Sequence, residues 1–103
     1  MPYSKKRRRL APIHPGDALA EILNEAGLSA NALALALRVP ANRITKILKR
    51  ERGITADTAM RLGRYFGTSA EMWMNLQAKY ELDAAEDALG ERVEREVLPR
   101  PAA

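Results

Sequence analysis

Residues 29–52, SANALALALRVPANRITKILKRER, carry two apolar stripes of helical period with almost no chain between them. Leu33, Ala34 and Leu37 fall on one helix face, and Ile44, Ile47 and Leu48 fall on a second. Ser29 stands where a side-chain oxygen caps the first helix, and Val39-Pro40 closes the connection. So short a link leaves two helices packed at an angle. With its apolar stripe turned inward, the second helix shows Asn42, Arg43, Lys46 and Lys49 on its outer face. A helix packed on one side, with amide and cationic side chains on the other, suits the major groove of DNA.

The flanking chain extends the helical pattern. His14-Pro15-Gly16-Asp17 opens a helix whose stripe is Leu19, Ile22, Leu23 and Ala26, with Gly27 as its stop. Thr55 is placed to cap a fourth helix with Ala59, Leu62 and Phe66 inside and Gly67 at its end. Ser69 caps a fifth, striped by Met72, Trp73, Leu76 and Tyr80. After Leu82 the pattern weakens. Leu89, Val93 and Val97 form one face of a short helix, interrupted at Gly90 and ended by Pro99 and Pro101. No strand-like alternation and no repeat is present.

Charge is unevenly distributed along the 103 residues. Residues 1–80 hold 14 Lys and Arg against 6 Asp and Glu, and residues 81–103 hold 3 against 7. A basic body implies a polyanionic partner, and an acidic tail implies a solvated end or a basic protein partner. Three segments follow: a flexible basic arm over 1–12, a helix-turn-helix domain over 13–82, and an acidic, partly helical tail over 83–103. The five consecutive cations at 5–9 fit an electrostatic anchor, a minor-groove arm or an inert tail. Apolar residues make up 47% of the chain, enough for a small core, so dimerisation is expected.

Exclusions narrow the function. The chain has no cysteine and a single histidine, so neither a disulfide framework nor a zinc site can be built, and no cofactor is implied. No apolar run approaches the ~20 residues of a membrane span, and no apolar stretch follows the basic start. The expectation is a soluble cytoplasmic protein. No Ser, Cys or paired carboxylate is placed to form a catalytic set with His14, which fits a structural role at the start of the first helix.

Site residues sort by the kind of contact their position allows. Ala41, Asn42, Arg43, Thr45 and Lys46 lie where a recognition helix meets base edges: Asn pairs with adenine, Arg with guanine, and Ala touches a thymine methyl. Ser29, Asn31, Arg38, Lys49, Arg50 and Arg52 lie beside the backbone track, where phosphates position a protein without specifying sequence. Capping alone also explains Ser29. Met72, Trp73, Leu76 and Tyr80, remote from that helix, suit core packing together with a dimer interface.

The segments HPGDALAEIL at 14–23, SANALALALRVPANRITKIL at 29–48, RGITADTAMRLGRYFGTS at 52–69 and MWMNLQ at 72–77 closely resemble the HigA-type antitoxins, within the Xre family of helix-turn-helix regulators. The resemblance spans roughly residues 12–82. It implies an all-α, five-helix fold of the lambda-repressor type and a dimer on a palindromic operator that represses its own operon. It also implies neutralisation of a HigB-type toxin, a RelE-like ribonuclease that cuts mRNA. A stand-alone regulator of the same fold, without a toxin, is the alternative. This chain departs from the family at two turns, where Arg38 and Arg50 replace glycine. Glycine takes positive φ cheaply, whereas an arginine held there costs about 1 kcal/mol. Either the backbone turns differently, or the strain is tolerated; contact of each arginine with phosphate is one reason for tolerance.

Overall fold

The computed structural model describes residues 11–102. Helix α1 (Pro15–Ala26) starts at His14, whose Nδ1 accepts a hydrogen bond from the Gly16 N–H at 2.9 Å, and it ends at left-handed Gly27. Helix α2 (Ala30–Leu37) is capped by Ser29, whose Oγ accepts from the Ala32 N–H at 3.0 Å. Helix α3 (Ala41–Leu48) follows after Arg38, Val39 and Pro40. Helix α4 (Ala56–Phe66) starts after Thr55 and stops at left-handed Gly67. Helix α5 (Ala70–Glu96) is capped by Ser69, which accepts from the Met72 N–H at 3.1 Å. Among the described residues there is no strand, and no helix is long and apolar enough to cross a membrane.

The apolar stripes meet in one core. Leu19 and Leu23 of α1, Leu33, Ala34 and Leu37 of α2, Ile44 and Ile47 of α3, Ala59 and Leu62 of α4, Ile54 and Trp73 form a single buried cluster. Each fully buried Leu or Ile removes enough apolar surface from water to stabilise by about 1.5–3 kcal/mol. Gly16 brings α1 onto the end of α3: a Cβ there would sit 2.0 Å from the Ile47 carbonyl oxygen. That close approach sets the base of α3 against the start of α1, and no larger residue permits it.

A second tie fixes the loop after α3. Gln77 of α5 is 8% exposed; its Oε1 accepts from the buried Ile54 N–H at 2.7 Å, and its Nε2 donates to Glu81 at 2.9 Å. Trp73 Nε1 donates to Thr68 Oγ1 at 3.1 Å, so the indole fills the core with its one donor satisfied.

Two expectations from sequence are corrected here. The helix does not break at Gly90 but runs unbroken from 70 to 96, 27 residues or about 40 Å. A mid-helix glycine costs only about 1 kcal/mol against alanine. The i,i+4 pairs Lys79–Asp83 at 3.2 Å and Arg92–Glu96 at 3.0 Å each return a few tenths. Thr55 does precede α4, but its side chain makes no capping bond; its Oγ1 lies 3.4 Å from Thr58 Oγ1 instead.

Candidate nucleic-acid interface

Helix α3 is held from beneath by buried Ile44 and Ile47 and half-buried Leu48. At 3.6 residues per turn, Ala41, Asn42, Thr45, Lys46 and Lys49 then share one arc of about 140° on the opposite side. Ala41, Asn42, Lys46 and Lys49 are exposed; Thr45 is half-buried, with its hydroxyl 3.4 Å from the Asn42 carbonyl oxygen. Pro40 at the N-cap supplies no side-chain acceptor, so the first amides of α3 face outward at the positive end of the helix. Asn42 can pair with a base edge there, and Lys46 and Lys49 supply cations along the same face.

Arg43 differs from its sequence-based place on that outer face. It lies on the flank, about 60° beyond Lys46 on the same helical wheel. Its Nη1 donates to Asp57 Oδ2 in the first turn of α4, and its side chain is 23% exposed. Asp57 also accepts from Arg61 Nε at 3.1 Å, while Arg61 Nη1 donates to the carbonyl of Leu37, the last residue of α2, at 2.8 Å. One carboxylate and two arginines thus join the end of α2, the start of α3 and the start of α4. The two guanidinium hydrogen bonds hold the Asp57 carboxyl below the usual carboxylate range. The spacing of four between Asp57 and Arg61 is a signal the sequence reading did not use, and no local signal marks Arg43 folding over to meet them.

The residues expected beside a phosphate track differ in how free they are. Ser29 uses its Oγ as the α2 cap and keeps its own hydroxyl hydrogen for donation. Asn31, Arg38, Lys49 and Arg52 are exposed. Arg38 and Arg50 both adopt positive φ, at 61° and 63°, so the backbone keeps the turn that glycine would make easily. Arg50 is committed elsewhere: its Nε and Nη2 donate to the two Asp17 carboxylate oxygens at 3.0 Å each. That forked pair ties the end of α3 to the start of α1. It accounts for an arginine at a strained turn without a phosphate, and Arg50 reaches DNA only by leaving Asp17. Among the described residues no carboxylate pairs with Arg38.

Trp73 is corrected as an interface residue. It is 0% exposed within one copy of the chain and belongs to the core, because its indole is packed beneath Phe66 and against Thr68. Met72 and Leu76 are half-buried at the core edge, and Tyr80 meets the His14 ring edge-on at 4.8 Å. His14 is itself 4% exposed, and burial lowers its pKa below 6.5 against the opposing pull of Asp17. It is the α1 cap, as expected from its place in the sequence. The basic arm at 5–9 lies outside the described residues.

This geometry agrees with what the chain resembles. The helix-turn-helix family matches residues 19–73. Virulence-associated protein I of Dichelobacter nodosus is 52% identical over 81 residues, 78% of this chain and 75% of that protein. The addiction module antidote protein of a HigA family from Coxiella burnetii superposes with a TM-score of 0.85 at 49% identity, covering 88% of this chain and 100% of that one. Pseudomonas aeruginosa antitoxin HigA with the higBA promoter superposes with a TM-score of 0.84 at 50% identity, covering 87% and 99%. Helix count, connection and the exposed α3 define a helix-turn-helix regulator. The chain belongs to that family and, within it, to the HigA-type antitoxins. These are regulators that bind DNA, not enzymes.

Proposed function

We propose that this chain binds duplex DNA upstream of its own operon as a homodimer, represses that operon, and neutralises a HigB-type toxin, a RelE-like mRNA-cleaving ribonuclease. The observation that carries the DNA reading is the arc of α3 on which Ala41, Asn42, Lys46 and Lys49 are exposed and Thr45 is half-buried among them; on this reading Ala41, Asn42, Thr45 and Lys46 meet bases and Lys49 meets the backbone. Its support is the Pseudomonas aeruginosa relative, a HigA structure with the higBA promoter. Ser29, Asn31, Arg38 and Arg52 flank that arc as phosphate contacts, and their cations make affinity fall steeply with salt. A two-fold dimer places two copies of α3 on a palindrome about one helical turn apart. With Trp73 internal, the pairing surface falls to residues still exposed on α5 and neighbouring helices.

The toxin reading is supported by the Coxiella burnetii relative, an addiction module antidote. The acidic tail is suited to a basic toxin surface, since residues 81–103 hold 7 Asp and Glu against 3 Lys and Arg. Gel shift and footprinting on the DNA upstream of the gene test the first part: a protected palindrome is expected, and no protection overturns it. Co-expression with a small basic reading frame adjoining the gene tests the second, and the absence of any such frame favours a stand-alone regulator. Growth arrest relieved by this chain is expected; arrest that it fails to relieve leaves a stand-alone regulator.

A further inference from the structure

We propose that Asp57 is a latch on Arg43: it holds the arginine off the DNA face in the free protein, and a DNA anion must displace it before Arg43 makes contact. The inference rests on the DNA reading above and goes beyond it, because Asp57 lies outside the recognition helix.

The closed state is visible in the arrangement. Arg43 Nη1 is bonded to Asp57, and Arg43 Nε is buried without a hydrogen-bond partner. A guanidinium recognises a purine or a phosphate through a fork of two neighbouring N–H groups. Each fork is compromised here. The Nε side is buried, and the Nη1 side is committed to a carboxylate. In each fork of Arg43, therefore, one of the two nitrogens is either buried or already bonded.

The latch is also shallow. It has one charge-assisted bond on the Arg43 side, to a carboxylate that is 53% exposed and shared with Arg61. Against it stands a buried N–H donor with no acceptor, which is unfavourable wherever it occurs. Exposed ion pairs of this kind shift an equilibrium by a few-fold at most. A phosphate or a guanine edge beside α3 offers acceptors to both groups of a fork, so the open state wins once the helix is seated. Arg61 keeps Asp57 in place after release, because it bonds the same carboxylate and the Leu37 carbonyl. The consequence is that intrinsic affinity is reduced by the fraction of molecules in the closed state.

Asp57→Asn removes the anion while keeping the shape of the side chain. Operator binding is expected to tighten about three- to fivefold. Removing a negative charge near DNA tightens binding regardless of Arg43, so the same change is made in an Arg43→Ala background. There the gain is expected to fall to less than half. A gain that persists undiminished without Arg43, or an Asp57→Asn protein that binds no tighter than wild type, overturns the latch. Should the Asp57→Asn chain fail to fold, the wild type decides the matter through its Arg43 Nε–H resonance. A shift on adding operator supports release, and a resonance unmoved in a saturated complex overturns it. Wild type that binds no duplex at all refutes the DNA reading itself, which separates the two failures.

Discussion

Replacing Gln77 with methionine isolates one bond that fixes the loop after the recognition helix. The two side chains are similar in length and volume, so packing around position 77 is nearly conserved. What is lost is the acceptor for the Ile54 N–H, 2.7 Å away in a site where Ile54 is 3% exposed. A buried donor left without a partner costs about 1–3 kcal/mol. The second bond, to Glu81, is half exposed and adds at most a few tenths. The expected loss is therefore about 2 kcal/mol, or roughly 8–16 °C in Tm for a domain of this size. Thermal melts followed by helical circular dichroism, with urea titration for the free energy, read it directly. A loss under about 0.5 kcal/mol refutes the reasoning, since the Ile54 amide would then have water or another acceptor. A control, Glu81→Gln, preserves the Ile54 bond and is expected to leave stability nearly unchanged.

Three further outcomes follow from the same structure. Arg38→Gly relieves a left-handed arginine without breaking a pair and is expected to stabilise by about 0.5–1 kcal/mol; Arg50→Gly gives up the forked bonds to Asp17 and is expected to gain less or to lose stability in the same urea titration. Because burial lowers the His14 pKa, the unfolded chain takes up the proton first, so this group's contribution is full above about pH 6.5 and is lost as pH falls through and below that value. Urea midpoints at pH 7.5 and 5.0 are expected to differ by less in His14→Asn, which keeps a capping acceptor; the Asp57 contribution, from a carboxyl with lowered pKa, is lost only in a separate and more acidic window. Asn42→Ala is expected to cost about 1–3 kcal/mol on the operator and to relax one base position in a binding-site selection, whereas Lys49→Ala weakens all duplexes alike and flattens the salt dependence.

The helices were legible because their signals are local. Ser29, Ser69, Gly27 and Gly67 sit at the ends they mark, and each stripe, such as Leu33, Ala34 and Leu37, is set by spacing alone. The same logic placed Ile44 and Ile47 inside and Asn42 and Lys46 outside. It failed where a side chain is claimed by a partner distant in sequence. Arg43 reads as an exposed cation until Asp57, fourteen residues on, folds against it. Arg50 reads as a phosphate contact until α1 brings up Asp17, thirty-three residues back. Gln77 reads as one letter of a motif, and only the loop at Ile54 shows why an amide stands there. Trp73 reads as core packing together with a dimer interface, because large aromatics serve both equally well and periodicity does not separate the two. Gly90 reads as an interruption because its local cost is visible, whereas the ion pairs flanking it in α5 need the helix to exist before they form.

The most direct measurement is the amide spectrum of the labelled protein as the duplex from upstream of its own gene is added. This account expects the largest changes at Ala41, Asn42, Thr45, Lys46 and Lys49, with smaller ones at Ser29 and Asn31 and none in the core around Leu19 and Trp73. Changes centred on another face, or a spectrum untouched by that duplex, would contradict it.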